Sequence, residues 1–178
     1  TLTSAILAFI KNLPKNQPPS AICIAVQGVV NGITGEVLWS PALKDRKIAL
    51  CELIEQQTGL PTTVNNDANC LAIGIRHLPH YQRLNNAAVV MLGYGLGMGY
   101  FINGSLYQGP NGAAGEFGHL NYMPNGAQCL CGKRGCVEAY LGDYALFRDA
   151  RMLLPFKQDD ELHPTEQSMQ TLVGLADK

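Results

Sequence analysis

Leu2, Ala5, Ile6, Phe9, Ile10 and Leu13 recur at helical spacing, which predicts an amphipathic helix ending before Pro14. After a polar stretch, the apolar run Ala21 to Val26 stops at Gly28 and predicts a strand, and Glu36 to Ser40, beyond the Thr34-Gly35 turn, predicts another. Ile48, Cys51, Leu53 and Ile54 mark a second helix closed by Gly59 and Pro61. Thr62 to Val64 is a short strand that runs into Asn65-Asn66-Asp67, and Ala68, Leu71, Ile75 and Leu78 then carry helical spacing. Ala87 to Leu92 has the continuous apolar character of a buried strand, and Asn103-Gly104 after Tyr100 to Ile102 is a hairpin turn signal. Val137 to Leu154 predicts a helix, and a last one starts at Thr165 and reaches Lys178. Because helical patterns run to both ends without a stop signal, the chain is expected to be a fragment. Strands alternating with helices define an α/β class.

Between Gly109 and Gly135 the pattern fails, and a segment rich in Gly, Pro and Asn has neither periodicity. Loops of that length are usually functional, so the chemistry is sought there. His119 is followed by nine residues, then Cys129, Leu130, Cys131, four residues and Cys136. One imidazole and three thiolates in a single loop are a tetrahedral zinc set, and four protein ligands make the expected zinc structural rather than water-activating. The alternatives are a set of reduced cysteines beside an unrelated histidine, or a disulfide. Uneven use of the 6 cysteines, with Cys23, Cys51 and Cys70 scattered through apolar stretches, favours the metal.

Composition narrows the partners. The 178 residues carry a formal net charge of −1, with 47% hydrophobic and 15% charged residues, which suits a compact protein with a substantial core. That balance gives no electrostatic footprint for nucleic acid or acidic lipid. No apolar run approaches the roughly 20 residues that span a bilayer, and the first residues lack a secretory pattern, so a cytoplasmic location with no membrane partner is expected.

Other polar groups have two readings each. Asn66 and Asp67 stand where a strand meets a helix, a position favoured for N-capping, although a carboxylate there also suits a general base. Glu116 precedes His119 and Glu138 follows Cys136, so two acidic groups flank the expected metal. Such carboxylates suit sugar hydroxyls, while Glu138 taken alone reads equally as a solvated residue in the first turn of a helix. Gly93, Gly95, Gly97 and Gly99 alternate between two predicted strands. That glycine ladder brings backbone N–H groups toward a phosphate or makes a plain turn, and it lacks the lysine end of a P-loop.

From about Ala21 to Leu141 the chain resembles the ROK family of sugar kinases and sugar-responsive transcriptional repressors. The resemblance rests on Asn66-Asp67-Ala68-Asn69, the glycine ladder, Gly115-Glu116-Phe117-Gly118-His119, and Cys129-x-Cys131-Gly132-x-x-Gly135-Cys136-x-Glu138 in family order. It implies an actin- and hexokinase-like (ribonuclease H-like) two-domain α/β fold with a zinc-stabilised loop. Residues 1–68 would belong to the smaller N-terminal domain and 69–178 to the larger. It also implies zinc on His119, Cys129, Cys131 and Cys136, and sugar hydroxyls on Asn66, Asp67, Glu116, His119 and Glu138. His119 would join metal and sugar, one nitrogen for each.

In a family kinase Asp67 would be the catalytic base, with ATP and Mg²⁺ as further ligands and Gly93, Gly95 and Gly97 near the nucleotide. Three departures limit the carry-over. The chain has no Asp-x-Gly-x-Thr phosphate loop, which in family kinases lies on a first hairpin that would precede Thr1; Tyr94 replaces a usual Thr and brings bulk to a phosphate position; and Ala42 stands where an Asn often lies beside the sugar, at the loss of one sugar hydrogen bond. The expected function is therefore the sugar-binding effector domain of a transcriptional regulator, with no enzymatic activity in this chain. DNA would be bound only by a helix-turn-helix outside it, and the protein would be a homodimer as family members commonly are. The alternative is an ATP-dependent hexose or N-acetylhexosamine kinase.

Overall fold

A computed structural model describes residues 2–153, 170, 173 and 174. They form two compact units, Thr1–Ala87 with Gly99–Gly115, and Ala88–Met98 with Glu116–Lys178. The predicted helix from Thr165 falls almost wholly outside the described residues.

The first unit opens with α1 (Leu2–Lys11), whose Ile6 packs against the core. Strand β1 (Ile22–Val26) pairs in parallel with β5 (Thr62–Asn66), Ile22 opposite Thr62 and Val26 opposite Asn66. Alternation along β1 turns Ile22, Ile24 and Val26 to the core and Cys23 outward. Strands β2 (Val29–Asn31), β3 (Glu36–Trp39) and β4 (Ile48–Ala49) form an antiparallel sheet in that order. Helix α2 (Leu50–Thr58) ends at Gly59, left-handed at φ 70°, whose N–H returns to the Glu55 carbonyl. Val30, Val37, Leu50, Ile54 and Val64 make the buried core of this unit.

Helix α3 (Asp67–Arg76) follows β5 directly. Strands β6 (Ala87–Leu92), β7 (Leu96–Ile102) and β8 (Ser105–Leu106) make a third sheet in the order β6-β7-β8. The β7–β8 turn has φ 51° at Asn103 and 80° at Gly104, as the Asn-Gly signal requires. At Gly99 the backbone of β7 lies on α3, where a Cβ would stand 2.7 Å from both the Ala68 carbonyl and the Ala72 Cβ.

Three expectations change. Strand β2 was absent from the pattern, since three residues beyond Gly28, itself at φ 118°, carry no readable alternation. The glycine ladder is not wholly a connection: β7 starts at Leu96 and takes in Gly97 and Gly99, leaving Gly93 to Gly95 as the turn. The helix expected from Val137 is broken into α4 (Glu138–Leu141) and α5 (Asp143–Leu153) by Gly142, which is extended at ψ 151°.

Candidate functional site

The irregular segment contains one turn of 3-10 helix, Phe117–His119, and is otherwise ordered by crossing backbone bonds. Gly135 accepts from the N–H groups of Tyr122 (2.7 Å) and Met123 (3.1 Å) and donates to Ala127 (2.8 Å). Its φ of 81°, and a Cβ position that would run into the Met123 carbonyl, restrict it to glycine. Cys129 donates its N–H to Lys133 at 2.9 Å and accepts from Gly132 at 3.0 Å, a tight turn that brings Cys129 and Cys131 to one side. On the Phe117–His119 turn, Gly118 lies against Leu96, whose carbonyl a Cβ would strike.

These constraints bring His119, Cys129, Cys131 and Cys136 together, with one ligand atom from each within 4.8 Å of all the others. Cys131 and Cys136 sulfurs are 3.7 Å apart, far beyond a disulfide bond of about 2.05 Å. Cys129 Sγ lies 3.7 Å from His119 Nδ1. Zinc–sulfur and zinc–nitrogen bonds of about 2.3 and 2.05 Å in a tetrahedron give edges of roughly 3.8 Å between sulfurs and 3.6 Å between sulfur and nitrogen. The donor set and both spacings fit a tetrahedral metal. Cys129 and Cys136 are buried, and Cys23, Cys51 and Cys70 are separate free thiols.

Burial pushes the Cys129 thiol up to about 12, despite a backbone bond near Cys131, and also raises Cys136. Burial acts on Cys131 in the same sense, but the Lys133 backbone N–H, the neighbouring thiols and the Lys133 charge hold it below its ordinary value. Tyr144 is driven well above the usual phenol range by burial, then by Cys129 and Glu138 beside it.

Two carboxylates adjoin the cluster. Glu116 Oε2 is 3.8 Å from His119 Nε2, so the imidazole presents Nδ1 to the Cys129 thiol and Nε2 to a carboxylate. Glu138, only 7% exposed, accepts from the Leu96 N–H (3.0 Å) at Oε2 and from the Cys129 thiol (3.4 Å) and Tyr144 hydroxyl (3.5 Å) at Oε1. It stands in the first turn of α4, as expected, and its burial and partners exclude the reading of a solvated helix residue.

Asn66 and Asp67 lie in the first unit. Asn66 caps α3, its side chain accepting from the Asn69 N–H at 3.1 Å and donating to the Gly28 carbonyl at 3.0 Å. Asp67 is the first residue of α3 and accepts from the Ala68 N–H at 2.9 Å. Gly93 and Gly95 close the ladder turn through a 3.1 Å backbone bond, Gly97 is in β7, and the Tyr94 ring lies 5.8 Å from that of Tyr144. Tyr144 and Tyr140, whose hydroxyl accepts from the Ala127 N–H at 2.8 Å, were not singled out by the sequence. Their spacing of one helical turn just after the last cysteine was the available signal.

Fold and loop define an α/β protein with a glycine-rich hairpin and a loop whose Cys₃His cluster could hold a metal. The chain belongs to the ROK family, whose sequence profile matches residues 1–178. It is 32% identical over 176 residues to a glucokinase of Streptomyces coelicolor, covering 99% of this chain and 53% of that protein. It is 30% identical over 165 residues to a putative xylose repressor of Caldicellulosiruptor sp., covering 90% of this chain and 41% of that one. The crystal structure of a ROK family transcriptional regulator, a homologue of the Escherichia coli MLC protein, superposes with a TM-score of 0.78 at 29% identity, covering 97% of this chain and 45% of its own. The chain thus spans about half the length of the curated relatives it matches. The expected α/β fold holds at the level of this family, whose solved sugar kinases are actin- and hexokinase-like. Among the described residues no helix is long and apolar enough to cross a membrane.

Proposed function

We propose that this chain is the sugar-binding effector part of a ROK-family transcriptional regulator. In the intact cytoplasmic protein, a homodimer in which residues 1–68 belong to a smaller domain and 69–178 to a larger one, Asn66, Asp67, Glu116, His119 and Glu138 receive the hydroxyls of a sugar. Zinc on His119, Cys129, Cys131 and Cys136 is structural, since four protein ligands fill the tetrahedral shell. His119 bound through Nδ1 turns Nε2 toward Glu116, a pairing that suits a hydroxyl able both to donate and to accept. Sugar binding shifts the population of an arrangement that holds DNA through a helix-turn-helix outside this chain.

Tyr94 carries the choice of regulator over kinase. Its phenol sits in the ladder turn against Tyr144, bringing bulk where a phosphoryl-transfer site needs backbone N–H groups open to phosphate. The kinase reading keeps one specific observation: Asp67 is an acidic residue at the start of α3, where a base for a sugar hydroxyl would stand. ATP and Mg²⁺ would then be ligands, with Gly93, Gly95 and Gly97 beside the nucleotide.

The deciding experiment uses full-length protein with a panel of hexoses, pentoses and N-acetylhexosamines. Sugar-dependent release of an operator, with ADP release no greater than in Asp67→Asn, is expected. Rapid ADP release that the Asp67→Asn variant loses would make the protein a kinase. Elemental analysis is expected to find one zinc per chain.

A further inference from the structure

Glu138 holds one oxygen toward the metal loop and the other toward the glycine hairpin. Oε1 receives the Cys129 thiol and the Tyr144 hydroxyl, while Oε2 receives the Leu96 N–H at 3.0 Å, across a sequence separation of 42. Two further ties join the same segments. The Asp143 N–H donates to the Gly93 carbonyl at 2.9 Å, and the Tyr94 and Tyr144 rings meet at 5.8 Å. The turn Gly93 to Leu96 is therefore fastened at both ends to the residues that follow the last cysteine.

A cysteine that binds a metal is a thiolate and only accepts hydrogen bonds. The Glu138 carboxylate is likewise an acceptor. Tyr144, whose oxygen is 3.7 Å from Cys129 Sγ and 3.5 Å from Glu138 Oε1, then supplies the hydroxyl proton between the two anions.

We infer that Tyr144 and Glu138 form a strut through which metal occupancy fixes the glycine turn, with Tyr144 as the positioning residue that holds Glu138 against both the metal-bound Cys129 and the Leu96 amide. The Gly93 to Leu96 turn is then set from the metal loop, whatever ligand it meets. The inference rests on the metal centre proposed above and is independent of the choice between regulator and kinase.

Intact protein loaded with one zinc per chain tests it without sugar, nucleotide or DNA. Amide hydrogen exchange at Leu96 and Asp143, and zinc affinity by competition with a chromophoric chelator, are measured for wild type, Tyr144→Phe and Tyr140→Phe. Losing an outer hydrogen bond to a metal ligand typically weakens binding about 10- to 100-fold. Tyr144→Phe is expected to lower zinc affinity by that factor and to speed Leu96 exchange by about tenfold, while Tyr140→Phe, which loses only the Ala127 contact, leaves Leu96 exchange unchanged. Unchanged Leu96 exchange in Tyr144→Phe, or equal acceleration in both variants, overturns the strut. Should Tyr144→Phe fail to fold, wild type stripped of zinc replaces it: Leu96 exchange is expected to rise while β1 and β5 amides hold, and full Leu96 protection after stripping overturns the inference. Protein that binds no zinc at all overturns the metal centre and the strut together, whereas zinc-loaded protein without the Leu96 response overturns the strut alone.

Discussion

The first unit is held by branched aliphatics, whereas the buried cluster of the cysteine loop contains none. Val30, Val37, Leu50, Ile54 and Val64 are buried together in the one, and Cys129, Cys136 and Ala139 in the other. Fully burying a valine, leucine or isoleucine gives about 1.5–3 kcal/mol, so the first cluster supplies cohesion by removing carbon from water. The second gathers thiols at van der Waals distance, with Ala127, Ala139 and Tyr140 packed beside them. Taken out of water without a metal, such a cluster offers weak hydrogen bonds in exchange. Burial from solvent orders the first region, and the metal proposed for the second would make its order coordinative.

The largest effect expected from this contrast comes from chelation. Metal binding in a loop without its own core is worth on the order of 10 kcal/mol. Stripped protein should lose hydrogen-exchange protection at Cys129, Gly132 and Gly135 while β1 and β5 stay protected. Equal protection of the loop before and after stripping would contradict the coordinative half of the comparison.

The opposite break is Ile54→Ala, which removes a side chain with 0% exposure from the aliphatic core. A loss of about 2–5 kcal/mol in chemical denaturation is expected, with zinc content unchanged in the folded protein. Loss of zinc from folded Ile54→Ala would show that the two sources of order are not separate.

Asn66→Ala should give a smaller effect on the same side. It removes the cap on Asn69 and the bond to Gly28, which predicts about 1–2 kcal/mol of destabilisation by the same denaturation measurement, again with no change in metal content. A variant as stable as wild type would leave the cap without a stabilising role.

The smallest effect is on pH dependence and has opposite signs with and without metal. In metal-free protein burial raises Cys129 from 9.0 to about 12, so the fold favours the protonated thiol. That contribution is intact below about pH 9 and is lost as pH climbs toward 12. Cys131, held below its ordinary value, acts in the reverse sense: its contribution is present above its ordinary thiol range and is lost as pH falls through its lowered value. Because metal uptake expels thiol protons, affinity for zinc should rise with pH over the neutral range. Metal-free protein should become easier to denature on moving from about pH 8 to about pH 10, while loaded protein should not. Parallel curves for the two forms would remove Cys129 as the source.

The gathering of His119, Cys129, Cys131 and Cys136 was legible because its signal is chemical and local: residue type and spacing name a candidate donor set before any fold is known. Hairpin Asn103-Gly104 and the Gly59 stop were legible for a related reason, since each needs a left-handed residue that few side chains tolerate. What stayed hidden depends on distant partners. The break at Gly142 follows from packing, since a Cβ there would stand 2.8 Å from the Tyr94 carbonyl and 3.2 Å from that of Glu138. The double engagement of Glu138 was equally invisible, because one of its partners is a backbone N–H far upstream, and every residue has one. Asn66 shows the reverse: its favoured capping role held, and the bond to Gly28 came unannounced because it depends on the β1–β5 register.

That parallel register also bears on the order of assembly. Ile22 finds Thr62 only after a hairpin and a helix have been placed between them, whereas the metal ligands lie within a short stretch of chain. Closing a long loop before any contact rewards it is the slow part of folding. The loop can gather His119 and its three cysteines early, as a locally closed knot of chain, while the sheet that ends at Asn66 and leads into Asp67 waits for its distant partner. Pulse-labelled hydrogen exchange during refolding with zinc present reads this order directly, and protection of β1 and β5 ahead of the cysteine loop would reverse it.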